Sequence, residues 1–201
     1  MSETGNPSIL TVDEMVDALR CGGEIACDTS SVWGGQATGT RNFTNCWGKL
    51  RNWRRKQNAS PAALVLYVPA MVFKEKLLQA RHDYGVDFNL TKIEKALQTA
   101  GAEIVPFTQQ DAAATARWLA GQFENRGLWH AAKRARILRV QEVDAKSECP
   151  STTDWLIAGQ THARGWILIT NDQGIEFRNV RRASLATFLD AVDLLLGDVV
   201  A

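Results

Sequence analysis

Two apolar runs that end on an acid constrain this chain most. In "GWILITNDQGIEF", Trp166, Ile167, Leu168 and Ile169 follow one another without a polar break, and Thr170-Asn171-Asp172 ends the run. In "GGEIACDTSSV", Ile25, Ala26 and Cys27 lead straight into Asp28. A strand with one wet face alternates apolar and polar residues. A continuous apolar run instead reads as a strand covered on both faces, as in a parallel sheet. "AALVLYV" and "AEIVPF" add two more short runs of this kind.

Helical patterns lie between the strands. "TVDEMVDALR" opens with Thr11 as N-cap and Glu14 in capping-box position, and Gly22-Gly23 ends it. In "NFTNCWGKLRNWRRKQ" the residues Phe43, Cys46, Trp47, Leu50 and Trp53 share one face. A helix is expected from Pro69 through Glu75 to about Tyr84, and another over "TKIEKALQTA" stops at Gly101. "DAAATARWLAGQF", "STTDWLIAGQTHARG" closed by Gly165, and "SLATFLDAVDLLL" complete the series. The expected fold is α/β: a three-layer αβα sandwich around a parallel sheet of four to five short strands.

At 201 residues, with 45% hydrophobic and 22% charged residues, the composition is that of one soluble globular domain. A formal charge of +1 excludes a global electrostatic pull toward nucleic acid, so any such surface must be local. Cys21, Cys27, Cys46 and Cys149 show no CxxC spacing, and His82, His130 and His162 do not cluster with them, which argues against structural zinc. The cysteines are expected to pack as small apolar groups, and the histidines are assigned no role. The amino terminus lacks an apolar signal core, and no run approaches the roughly 18 apolar residues of a membrane span. A cytoplasmic protein is expected. There is no GxxxxGK[ST] loop and no GxGxxG fingerprint after the first strand.

In an open parallel sheet, chemistry gathers outside the carboxyl ends of the strands, where Asp28 and Asp172 fall. Each acid also has a plain structural role available. Asp28 suits a cap, Asp172 in "NDQG" suits a turn, and Asp154 suits the dipole of a helix's first turn. Against the plain roles, Asp154 shares its helical face with Ile157, Ala158 and Thr161, and Glu75 stands between Met71 and Leu78. Buried acids need partners, and few bases lie on those faces. A divalent cation would serve several acids at once.

These stretches resemble the PIN-domain nuclease family, whose members include VapC-like toxin ribonucleases. "CDTSSV" is similar to its first motif, and "VPAMVFKE" to its second. "TDWLIAGQTHARGWILITNDQGIEF" is similar to its third and fourth motifs taken together. The resemblance implies a catalytic, metal-holding quartet of Asp28, Glu75, Asp154 and Asp172, with Ser30 and Asn171 as polar accessories. It implies an endoribonuclease using Mg²⁺ or Mn²⁺, hard ions that suit carboxylate oxygen. It also implies an RNA substrate, an antitoxin protein and a second copy of the chain as partners. A copy that binds RNA or protein without cutting is the alternative.

The chain is longer than compact members. It reads as a single domain over 1–201, with a basic and aromatic insertion at about 34–58 and a helical insertion at about 85–140. Six bases and no acid lie between Arg41 and Lys56. Arg51, Arg54, Arg55 and Lys56 are candidate RNA contacts, as are Lys133, Arg134, Arg136 and Arg139. The competing reading is a solvated basic face above a buried Trp47/Leu50/Trp53 stripe.

Overall fold

The computed structural model describes residues 9–32, 43–56, 64–85, 90–123, 125–131 and 151–197. Five parallel strands, β1 (Ile25–Cys27), β2 (Leu66–Pro69), β3 (Ala102–Val105), β4 (Ile167–Ile169) and β5 (Arg182–Ala183), lie in the order β3-β2-β1-β4-β5. The helices are α1 (Val12–Arg20), α2 (Thr29–Val32), α3 (Phe43–Lys56), α4 (Ala70–Tyr84), α5 (Leu90–Ala100), α6 (Gln109–Gln122), α7 (126–131), α8 (Ser151–Arg164) and α9 (Leu185–Gly197). One layer groups α1, α3, α5 and α9; another groups α4, α6 and α8. The arrangement is the αβα sandwich that the unbroken apolar runs predict.

The register explains why those runs are unbroken. Ile25 is paired with Leu66 on one side and Ile167 on the other, and Cys27 is paired with Ile169. Both faces of β1 and β4 are covered, and every residue in the two strands is buried. Each large side chain withdrawn from water there contributes about 1.5–3 kcal/mol.

Local signals hold where the sequence shows them. Thr11 and Glu14 form the capping box of α1. Gly101 and Gly165 stop α5 and α8 at φ of 72° and 70°, a left-handed backbone that favours glycine. Phe43, Cys46, Trp47 and Leu50 are buried on α3, with Phe43 stacked on Phe188 of α9 at 5.0 Å.

The range 85–140 contributes the edge strand β3 to the sheet as well as helices. The cysteine expectation needs one correction. Cys27 and Cys46 sit in the core, but Cys21 is exposed because α1 ends there, beyond its buried face. Cys149 lies outside the described residues.

Candidate functional site

The site is built at the carboxyl ends of β1 and β4. The Asp28 amide donates to the Ile169 carbonyl at 3.0 Å, extending the strand pairing by one residue and fixing where the side chain emerges. Ser31 Oγ bridges the carbonyls of Asp28 and Ile169, at 2.8 and 2.7 Å. The Asp28 carboxylate is buried and well supplied with donors. Its Oδ1 accepts from the Thr29 amide at 2.6 Å. Its Oδ2 accepts from Ser30 Oγ and Thr170 Oγ1, both at 2.9 Å.

Glu75 reaches the same place from α4. The Thr29 hydroxyl donates to Glu75 Oε2 across 46 residues of chain. Half-burial raises the Glu75 carboxyl above its ordinary value, and the Asp28 charge raises it further. The Thr29 hydrogen bond and the Lys74 and Lys76 charges act in the opposite direction. An acid at the end of β1 and an acid on α4 therefore share one polar cluster.

Asp172 stands at the end of β4 with its carboxylate engaged locally. Its Oδ1 accepts from the Gly174 amide at 2.7 Å, and its own amide donates to Thr170 Oγ1 at 3.0 Å. This is the turn-forming role the sequence leaves open, realised within the site. Arg182 on β5 is buried, and its Nη1 donates to the Asp172 carbonyl at 3.0 Å. Burial lowers the Arg182 guanidinium, while the Asp172 charge opposes that shift and Arg178 adds to it. Asn171 is exposed. Its amide donates to Ser30 Oγ at 3.3 Å, and its Oδ1 accepts from the Leu185 amide at 3.1 Å, tying the loop to the start of α9.

Asp154 occupies the first turn of α8 and is half-buried, while Ile157, Ala158 and Thr161 on its face are buried. Helix α8 packs against α4, the helix of Glu75. Among the described residues, no group of three or more His, Cys, Asp or Glu side chains is gathered closely enough to hold a metal ion. Asp28 and Glu75 suit a hard divalent cation by donor type and by charge; a complete four-acid cage is not assembled in this arrangement.

The basic residues of α3 lie elsewhere. Arg51 Nη1 donates to the Thr99 carbonyl at 3.0 Å, and its guanidinium fills the space beside Gly101. Gly101 immediately precedes β3, so Arg51 marks the amino end of the sheet, opposite Asp28. Arg54 is half-buried with its guanidinium 6.0 Å from the Trp53 ring. Arg55 and Lys56 are exposed, and Arg55 donates to Asn52 at 3.0 Å. Lys133, Arg134, Arg136 and Arg139 lie outside the described residues.

Sequence reasoning gives Thr29 and Thr170 no part in linking the acids, and it passes over an ion pair between buried Asp111 and partly exposed Arg164 at 2.9 Å. Gln160 Nε2 adds donations to Asp111 at 3.2 Å and to the Pro106 carbonyl at 2.9 Å. A Thr-x-x-Asp signature, Thr108 to Asp111, marks the start of α6 and was the available signal.

No protein-family model and no curated protein matches the chain. Among solved structures it is similar to the crystal structure of DNA-bound VapBC from Salmonella typhimurium, at 15% identity and a TM-score of 0.43. The match covers 81% of this chain and 98% of that one. At that score the likeness bears on neither the site nor its chemistry. Among the described residues, no helix is long and apolar enough to cross a membrane.

Proposed function

We propose that the chain is a metal-dependent endoribonuclease of the PIN type, with Asp28, Glu75, Asp154 and Asp172 as its acidic quartet. The observation that carries this reading is the convergence of Asp28 and Glu75, through Thr29, beside Thr170 at the carboxyl end of a parallel sheet. Burial and the neighbouring Asp28 charge raise the Glu75 carboxyl, and a divalent cation between the two carboxylates would relieve that cost. Bound there, Mg²⁺ or Mn²⁺ would supply a polarised water and charge stabilisation for a scissile phosphate. Asp28, held by three donors, and Glu75, oriented by Thr29, are the first ligands in this proposal. Arg182 holds the Asp172 turn through its main-chain carbonyl. The role of toxin, with an antitoxin protein as partner, belongs to the same proposal.

The test is cleavage of mixed single-stranded RNAs with Mg²⁺, with Mn²⁺ and with EDTA, beside Asp28→Asn and Asp154→Asn. Activity should require metal and vanish in both variants while circular dichroism is unchanged. Cleavage that survives EDTA, or equals wild type in the variants, overturns the mechanism. Growth arrest on expression, relieved by an adjacent gene, tests the toxin role.

One observation favours a second reading, a module that binds RNA without cutting it. No three acids gather among the described residues, and the Asp172 carboxylate is engaged in its own turn. Metal-independent RNA binding with no cleavage would decide for it.

A further inference from the structure

An aromatic groove lies against the first turns of α8, the helix that carries Asp154, and it was not legible as a site in the sequence. Helices α6 and α8 run antiparallel. Asp111 at the start of α6 meets Arg164 at the end of α8, and Trp118 and Phe123 farther along α6 meet Trp155 in the first turns of α8. Because α8 feeds through Gly165 into the amino end of β4, its first turn lies at the carboxyl end of the sheet. The Phe123 end of α6 is therefore on the same side of the molecule as Asp28.

A cavity of about 520 Å³ opens there, with Ala116, Ala120, Phe123, Arg126 and Trp129 in its lining. The Phe123 and Trp129 rings stand nearly perpendicular at 5.2 Å, and Trp129 lies 5.7 Å from Trp155. Trp155 is the residue after Asp154. Ala116 and Ala120, on exposed turns of α6, leave a slot beside the packed ring cluster, and the volume is that of a small-ligand pocket. Arg126 supplies a cation, with Nε donating to His130 Nε2 at 3.1 Å, and no carboxylate is found among the described lining residues.

We infer that this groove receives an unstacked base of single-stranded RNA, whose backbone then runs past Asp154 toward Asp28. The inference rests on the nuclease reading and names where its substrate lies. Aromatic walls accept any base face, and one cation at the lining complements a polyanion. The position decides between two candidate surfaces. The basic end of α3 lies at the amino end of the sheet, whereas the aromatic groove lies at the carboxyl end.

The experiment measures anisotropy of a labelled single-stranded oligoribonucleotide, and of an abasic strand of equal length, on the full chain in EDTA. Trp129→Leu should weaken RNA binding about five- to a hundredfold and leave abasic binding unchanged. Ala120→Leu, a substitution on an exposed turn of α6, fills the slot without removing an aromatic ring; it should reproduce the loss and serves if Trp129→Leu fails to fold. Equal RNA affinity in wild type and both variants, with metal-dependent cleavage intact, overturns this inference alone. Equal loss for RNA and abasic strand also overturns it. So does a groove that binds an acidic helical peptide and not RNA. Absence of all RNA binding by wild type overturns the inference together with the nuclease reading.

Discussion

Thr170 Oγ1 donates to Asp28 Oδ2 at 2.9 Å and accepts from the Asp172 amide at 3.0 Å, so one hydroxyl joins two strand ends. Its position in the β4 run is enough to explain why a threonine follows Ile169. Thr170→Val keeps the shape and leaves a buried acceptor short of a donor. It should cost about 1–3 kcal/mol, read as a lower urea midpoint at unchanged slope. A midpoint equal to wild type would show that the link carries no weight.

Glu75 gives the site a pH signature. Its folded carboxyl is held above the ordinary 4.5, so the folded chain keeps a proton that the unfolded chain has lost. The stability this contributes is present below 4.5 and lost as pH rises through the folded value. Glu75→Gln still accepts from Thr29 and carries no charge. Its stability relative to wild type should therefore climb between about pH 4 and pH 7 in EDTA. A difference flat over that range would show that burial and Asp28 do not act on this group.

Asp111 behaves in the opposite sense. The Arg164 guanidinium holds its carboxyl well below the usual carboxylate range. The resulting stability is present above 3.8 and lost as pH falls through the folded value. Arg164→Leu should cost about 2–3 kcal/mol, less than a fully buried pair because Arg164 is partly exposed, and should blunt the acid sensitivity. Denaturant midpoints for both proteins, taken across the acid range, provide the comparison.

Gly159 sets how closely α8 approaches α6. A Cβ placed there would overlap the Thr115 side chain. Gly159→Ala should destabilise by about 1–3 kcal/mol, and Thr115→Ala in the same chain should recover part of it. Additive effects in the double variant would refute the contact.

Metal should stabilise the folded chain if the carboxyl pair is its site. Millimolar Mn²⁺ should raise the melting temperature of wild type and leave Asp28→Asn unmoved. Equal shifts in both proteins would place any bound ion elsewhere.

Much of the fold was readable because burial on two faces leaves a signature in the chain itself. The apolar run at Ile167 to Ile169 reads as a covered strand and forms one, and Thr11 with Glu14 announces a helix start. Asp28 and Glu75, which the structure brings together through Thr29, stand out for the same reason, since each ends or interrupts an apolar pattern. What joins them was not readable. Thr29 and Thr170 look like capping residues until partners distant in sequence come alongside, and Arg164 gives no hint of a mate 53 residues away. Counting bases between Arg41 and Lys56 likewise could not say at which end of the sheet they finish. That depends on the direction of α3, which the placement of Arg51 at Gly101 reveals.

The central placement of β1 has a consequence for synthesis. Its acid leaves the ribosome ahead of the hydroxyl that holds it, which belongs to a residue 142 positions later. The carboxyl end of the sheet in a nascent polypeptide thus stays unfinished until the intervening residues have followed. The buried carboxylate and its donor meet only when the two halves of the sheet come together.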